Sequence, residues 1–491
     1  MTSFDFQSNQ PIPVIQETPT TQLQHQTEAE VRPYFVDLQN LNPSELQNLQ
    51  QIGYLSASAE DNDNDSFKIR LLIDKHQTYV SQVWTCGKSL PSGFVSLNAS
   101  RPWILYWCLH SHDLLSSSKS STIPESDRLR MLTLLQNCWS EIELEVSQDD
   151  LQGDAFLRQH STKNNSIIKA GGFGGGPGQL AHAATTYAAV LALCILATHH
   201  ESESTSTTSQ QQALQFLMHI RPKLYPWMLA LQETTTTGVA YRMHDGGEID
   251  VRASYCVLCV AKLLQLPLQK LASAQVIQFI ASCQTYEGGL GGVPFAEAHG
   301  GYTFCGVAAL ALCGKLDQLN TDTLLGWLTR RQCAYEGGFA GRAEKLVDGC
   351  YSFWQGAALS IVSSHLKNQE SDPDDNDQTF FLGHASMLER YILLCAQEPK
   401  GGLRDKPSKP RDFYHTCYNL SGLSIVLSSQ TESQEECFGH PSNQEILGQT
   451  HPLYNIRVER VKKLQELLSK VDHASNVSST WRIIESPWLL L

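Results

Sequence analysis

Three residues of this chain have the types expected of a metal-ligand set. Asp348 and Cys350 stand two apart, and His415 follows in a comparable stretch further along. A carboxylate, a thiolate and an imidazole together suit zinc, and three protein ligands leave a fourth position open, as catalytic sites do. Around a divalent ion the set is close to neutral. A substrate thiol taking the fourth position would lose its proton and leave the site net negative, which keeps the sulfur nucleophilic. A water-activating site more often uses neutral histidines. An Asp and a Cys two apart also occur by chance, so spacing alone leaves these residues as candidates.

A second set lies beside the first. Arg342 and Lys345 are three apart and precede Asp348. Arginine offers a planar fork and lysine a point charge, a combination suited to a polyanion. His299 and Tyr351 can donate hydrogen bonds to the same anion. An exposed basic pair on a loop is the bland alternative, but the neighbouring metal candidates favour a diphosphate. A third set is aromatic: Trp103, Tyr106, Trp107, Tyr255, Tyr302, Trp354, Tyr414 and Tyr418. At helix mouths these would line a deep apolar funnel, and core packing competes for several of them.

Internal repeats must position these residues. A Gly-Gly pair recurs at Gly171-Gly172, Gly246-Gly247, Gly288-Gly289, Gly337-Gly338 and Gly401-Gly402. After each comes a short loop, then a helix of small and apolar residues starting around Tyr187, Tyr255, Tyr302, Tyr351 or Tyr418. The unit is a helical hairpin of roughly 50 residues, and such hairpins stack side by side as in solenoids. The small residues Ala308, Ala309, Ala357 and Ala358 let helices crowd. The expected fold is therefore all-α, an α/α toroid: a closed ring of hairpins with inner and outer helices. Aligned on those tyrosines, the position three residues upstream reads Ala184, Arg252, His299, Asp348 and His415. Helix N-capping would explain Asp348 but not Arg252 or the histidines. In a toroid these loops converge at one end of the cavity, which gives one concave site built from separate repeats. The glycine-rich stretch 171–179 lacks the Gly-Lys-Ser/Thr ending of a phosphate loop and reads as an inter-repeat turn.

Residues 1–60 are polar and read as a disordered tail. Residues 61–491 read as a single toroid domain with loop insertions near 200–245 and 368–378; within these, 200–212, 233–238 and 368–378 look like solvated loops. Among the 491 residues no apolar run is long enough to span a membrane, so no membrane insertion is expected. A net charge of −14 argues against nucleic-acid binding. The chain does not open on a basic segment followed by an apolar core, so the expectation is a cytoplasmic protein whose 14 cysteines are reduced. The Cys256/Cys259 pair reads as helix core rather than a redox motif.

Several stretches resemble protein farnesyltransferase β subunits, within the protein prenyltransferase β-subunit family. They are Gly171 to Gln179, Gly246 to Tyr255, Glu297 to Cys305, Lys345 to Trp354 and Arg411 to Tyr418, and the similarity runs from about Phe67 to about Asn455. The resemblance implies that Asp348, Cys350 and His415 hold Zn2+. It implies that His299, Arg342, Lys345 and Tyr351 contact the isoprenoid diphosphate, and that Asp405, beside Lys406, is linked to Mg2+ there. Arg252, Tyr255, Cys305 and Trp354 match the isoprenoid cavity. Trp103, Trp107 and Tyr414 match the surface for a C-terminal Cys-a-a-X tail. The implied reaction joins that cysteine to carbon 1 of farnesyl diphosphate, in an obligate heterodimer with a helical-repeat α subunit. Thr185 stands where the family usually has proline, near the pocket for the last peptide residue. A geranylgeranyltransferase type I β subunit, the nearest rival, tends to carry a small residue at Trp103. A non-catalytic toroid scaffold would predict decay of the metal and cation sets, which are intact.

Overall fold

The computed structural model describes residues 18–35, 42–55, 69–85, 92–116, 122–161, 166–199, 207–370, 381–429, 443 and 447–474. Inner helices run Arg101–Leu115, Ala183–Thr198, Val251–Leu263, Gly300–Leu312, Tyr351–Glu370 and Phe413–Ser429. Each packs on the next, and the last packs on the first, so the ring closes. A helix wrapped on every side must be apolar all round. Accordingly, in Ala183–Thr198 every residue except Ala184 is buried. Outer helices at Ile73–Thr85, Glu125–Cys138, Thr208–Ala230, Ala274–Ser282, Thr321–Thr329 and Ala385–Arg390 pack against this ring. Two small antiparallel sheets pair Trp139–Glu145 with Ile167–Phe173, and Gln232–Thr235 with Gly238–Tyr241.

The repeat has a fixed local anatomy. An anchor residue (Phe173, Tyr241, Leu290, Phe339 or Leu403) stands nine residues before the residue that caps the inner helix. The caps are His182, Asp250, His299, Asp348 and Asp412. Five residues after each anchor the backbone turns left-handed, at Gly178, Gly246, Phe295, Glu344 and Ser408. Where the helix carries a threonine four residues past the cap, its hydroxyl accepts the anchor amide. Phe173, Leu290 and Leu403 donate to Thr186, Thr303 and Thr416, each at 2.9 Å.

This anatomy corrects two readings. The tyrosines used to align the repeats are not equivalent: Tyr187 and Tyr255 lie five residues past their caps, Tyr302 and Tyr351 three, and Tyr418 six. The Gly-Gly pair at 246–247 is also out of register. The four other pairs end one residue before an anchor, where the chain passes beneath an aromatic of the outer layer. A Cβ on Gly172, Gly289, Gly338 or Gly402 would strike Trp227, Trp327, Tyr391 or Tyr79. In the second repeat Val239-Ala240 takes that place, and Gly246 supplies the left-handed turn.

Segment expectations change as well. Within the expected tail, Pro19–Val31 and Pro43–Ile52 are helices, the second closed by a capping box between Asn42 and Glu45. Their few apolar side chains do pack: Val31, Leu49, Tyr54 and Leu55 are buried. The 200–212 loop ends early, because a Thr207–Gln210 capping box starts the helix Thr208–Ala230. The threonine-rich 233–238 forms a hairpin, as β-branched residues favour. Residues 368–370 still belong to the helix from Tyr351. The remainder of those two insertions, 200–206 and 371–378, lies outside the described residues. Cys256 and Cys259 are buried and unpaired in Val251–Leu263, as expected of helix core.

The register makes a stability prediction. Gly288 has φ +107° and a Cβ there would sit 2.0 Å from the Thr323 carbonyl oxygen, whereas Gly246 has φ +67° and open space. Gly246→Ala should cost about 1–2 kcal/mol in backbone strain alone. Gly288→Ala should cost roughly 1–3 kcal/mol more through overpacking. Thermal melts of the two variants check the order, and equal melting temperatures would contradict the assigned register.

Candidate metal and anion site

In five of the inner helices the first amide past the cap donates to the loop of the following repeat. Arg101 N reaches Gly175 O at 3.0 Å, Ala183 N reaches Met243 O at 2.7 Å, and Val251 N reaches Gly292 O at 2.9 Å. Gly300 N reaches Gly341 O and Gly349 N reaches Asp405 O, both at 2.8 Å. Each acceptor lies two residues past its anchor. These bonds lock loop to loop at one end of the ring and gather the caps there.

Each cap also accepts a hydrogen bond from its own helix. Ala184 N donates to His182 Nδ1 at 3.1 Å, Arg252 N to Asp250 Oδ1 at 2.8 Å, and Gly301 N to His299 Nδ1 at 3.0 Å. Cys350 N donates to Asp348 Oδ1 at 2.9 Å and His415 N to Asp412 Oδ1 at 2.7 Å. Capping and chemistry are therefore not alternatives at this position. In neutral His299 an accepting Nδ1 places the proton on Nε2. That nitrogen lies 3.1 Å from the Tyr351 hydroxyl, so the hydroxyl accepts and keeps its own hydrogen for another partner. Burial, then the Arg342 charge, holds the His299 pKa down, which favours this neutral form.

The ligand atoms of Asp348, Cys350 and His415 lie within 4.8 Å of one another. His415 Nδ1 is 2.6 Å from Asp412 Oδ2, which leaves Nε2 facing Asp348 Oδ1 at 3.3 Å. A carboxylate behind a histidine fixes its tautomer and orientation, as in many metal centres. Burial lowers the His415 pKa, but its bonds to Asp348 and Asp412 outweigh that and lift it to about 10. Burial, then Asp348, pushes the Cys350 thiol well up. A divalent cation reverses both tendencies by favouring neutral imidazole and thiolate. The donor set and its orientation fit a zinc ion.

The sequence matches the Prenyltransferase alpha-alpha toroid domain family over residues 71–456. It is 35% identical to the protein farnesyltransferase subunit beta of Arabidopsis thaliana, covering 84% of this chain and 86% of that one. It is 36% identical to the same subunit of Schizosaccharomyces pombe, covering 79% of this chain and 89% of that one. The chain belongs to the protein prenyltransferase β-subunit family. The Arabidopsis thaliana geranylgeranyl transferase type-1 subunit beta is 32% identical over only 38% of this chain and 47% of its own. A solved Candida albicans protein geranylgeranyltransferase-I complexed with GGPP shares the fold, with TM-score 0.58 at 20% identity, covering 81% of this chain and 99% of that one.

In this prenyltransferase β subunit Arg342, Arg252 and Lys406 are paired with acids, and among the described residues Lys345 is not. Arg342 pairs with Glu297 at 2.8 Å, with both side chains well exposed. Arg252 pairs with its own cap Asp250 and lies 5.5 Å from the Tyr302 ring centre. Lys345 is exposed and makes no hydrogen bond or ion pair among the described residues. Asp405 receives Lys406 Nζ at 2.8 Å, and burial, then the Asp348 charge, raises its pKa.

The aromatic set is continuous. Trp103 packs on Trp107 and on Tyr187, with ring centres 5.6 and 5.7 Å apart, and Trp107 meets Tyr414 at 5.4 Å. Trp354 stacks on Tyr418 at 4.4 Å and its indole N–H donates to Tyr414 Oη at 3.2 Å. The Tyr414 hydroxyl in turn meets the Cys350 thiol. Tyr302 sits 5.2 Å from His299, ring centre to ring centre, and Cys305 is buried deeper. Tyr255 is buried with its hydroxyl donated to Leu453 O at 2.9 Å, and Tyr106 reaches Asn455 O at 2.6 Å. Thr185 spends its hydroxyl on the Phe173 carbonyl at 2.5 Å.

Sequence reasoning missed Asp412, Asp250 and Glu297, which orient His415, Arg252 and Arg342. The spacing Asp412-x-x-His415 was the available signal, since residues three apart share a helix face. Asp412→Ala should weaken metal binding about 10- to 100-fold while leaving the three ligands in place. Competition against a chelator of known affinity measures this, and an unchanged affinity would remove Asp412 from the site.

Proposed function

We propose that the chain is the catalytic β subunit of a protein farnesyltransferase, working with a prenyltransferase α subunit. It would join farnesyl diphosphate to the cysteine of a protein ending in Cys-a-a-X. The observation that carries this reading is the adjacency of a three-ligand metal set and a hydrogen-bond donor pair for an anion, at the mouth of one aromatic funnel. Asp348, Cys350 and His415 would hold zinc, which supplies a Lewis acid that stabilises a substrate thiolate. Asp405 is the residue suited to Mg2+ at the diphosphate end.

The remaining work belongs to the chain's own residues. The Tyr351 hydroxyl hydrogen, left free by His299, is available to a diphosphate oxygen. Arg342 would exchange Glu297 for the diphosphate, and Lys345 and Lys406 add charge nearby. Their interactions strengthen as the carbon–oxygen bond breaks and charge gathers on the leaving oxygen, and this is where binding accelerates chemistry. The carbon–sulfur bond forms at carbon 1, diphosphate departs, and the thiol proton passes to solvent. Arg252, Tyr302, Cys305, Tyr255 and Trp354 would wall the isoprenoid. Trp103, Trp107 and Tyr414 would receive the aliphatic residues of the peptide. The helix starts gathered at this end add partial positive charge for the diphosphate.

Trp103 decides the length of chain accommodated. Its indole packs against Tyr187 and Trp107 and would occupy the volume that one more isoprene unit needs. Misplacing carbon 1 by about 1 Å costs about a hundredfold in rate. The test is the kcat/KM of the assembled heterodimer for farnesyl against geranylgeranyl diphosphate, with one Cys-a-a-X peptide. The wild type should prefer farnesyl, and Trp103→Thr should shift the ratio toward geranylgeranyl. A wild type that prefers the longer chain would make this a geranylgeranyltransferase type I subunit. A heterodimer that transfers neither would leave a binding scaffold.

A further inference from the structure

The described parts of residues 18–55 lie along the outside of the last repeats and end on one loop. Gln24 Nε2 donates to the buried Glu336 at 2.8 Å. The Phe35 ring lies beneath the Arg390 guanidinium, 3.8 Å from its centre, and beside Tyr335. The Tyr54 hydroxyl donates to Gln397 O at 3.0 Å. The Tyr34 ring centre is 5.3 Å from the Arg404 guanidinium, and Ser408 Oγ donates to Glu30 Oε2 at 2.8 Å. Arg404 and Ser408 bracket Asp405 and Lys406.

The inner side of the same loop is bolted to the metal-ligand loop. Asp405 O accepts Gly349 N at 2.8 Å and the Tyr391 hydroxyl at 2.5 Å. Arg404 O accepts Asn419 Nδ2 at 3.1 Å, and Lys406 Nζ reaches Val347 O at 3.2 Å. Gly349 separates Asp348 from Cys350, so a shift of loop 404–408 is felt between two ligands. Ser408 has φ +69°, the left-handed turn that Phe295 and Glu344 take in their own repeats. The partner that holds its side chain is Glu30.

We infer that the N-terminal segment is a positioning element for this loop: through Glu30 and Tyr34 it sets Asp405 and Lys406 against the metal-ligand loop. The inference rests on the proposed function only for its rate readout. Glu30 and Tyr34 touch neither the metal ligands nor the anion set, so they are positioning residues.

The experiment compares the assembled heterodimer with its Glu30→Ala/Tyr34→Ala variant. Amide hydrogen exchange at Arg404 and Lys409 should quicken by about tenfold or more, because local opening follows the lost contacts. At saturating substrates kcat should fall about tenfold, with KM for the peptide little changed. Adding Ser408→Gly should restore most of the rate, because glycine adopts the left-handed turn without strain. A merely structural role would give no such rescue. Wild-type exchange at 404–409 in the variant would overturn the inference, as would a rate loss that Ser408→Gly leaves untouched. A wild-type heterodimer without prenyl transfer would overturn the proposed function, while the exchange comparison still decides this inference. If the double variant does not assemble, Glu30→Ala alone carries the same comparison.

Discussion

The first amide past the cap of an inner helix cannot bond within that helix, and in five of the inner helices it ties repeat to repeat. From Arg101 to Gly349 the donated bond lands on the same position of the following loop. This one interaction fixes the lateral spacing of the loops. It is why a cap in one repeat lies within reach of side chains from the next: His299 of Tyr351, Asp348 of Asp405 and His415. The aromatic rings one turn inside follow the same order, with Tyr187, Tyr255, Phe304 and Phe353 meeting in sequence at 5.0–5.4 Å.

The cap position carries two demands at once. It must offer an acceptor to the helix start, and at one end of a cavity it also faces whatever binds there. Aspartate and histidine meet both demands, because each has a second polar atom to present. Asp348 caps with Oδ1, which also faces His415 Nε2, and still has Oδ2 to offer. His299 caps with Nδ1 and presents Nε2–H to Tyr351. His415 is the exception. It sits three residues inside its helix and depends on the cap Asp412 for both its amide and its ring bond. Alternating acid and base in this way leaves Arg252, Arg342 and Lys406 each paired with an acid that a diphosphate could replace.

Much of this was legible in the sequence because it is local. The all-round apolar helices and the glycine pairs announced a toroid, and the ligand types marked the candidate metal and anion residues. The register was not legible, since tyrosine recurs for different reasons at different depths: Tyr302 and Tyr351 face the site, while Tyr187 and Tyr255 reach toward residues 453–454 at the floor. Glu297 escaped because it meets Arg342 only across loops, and Asp250 and Asp412 because as caps they act through a neighbour two or three residues on. The N-terminal helices were hidden by composition. Their caps, Thr18-Pro19 and Asn42-Pro43 with Glu45, are plain helix starts, but few of their residues are apolar, and what they pack against lies more than 300 residues away.

Cys350 sulfur, Asp348 and His415 are proposed to hold one metal with a place left for a substrate sulfur. Replacing that metal with Co2+ in the assembled heterodimer gives the most direct view, because a thiolate on cobalt absorbs in the near ultraviolet. The account predicts a thiolate-to-cobalt band in the free protein that disappears in Cys350→Ser. It also predicts that the band gains intensity when a Cys-a-a-X peptide is added. A cobalt protein with no thiolate band, or a band that survives Cys350→Ser and ignores the peptide, would contradict it.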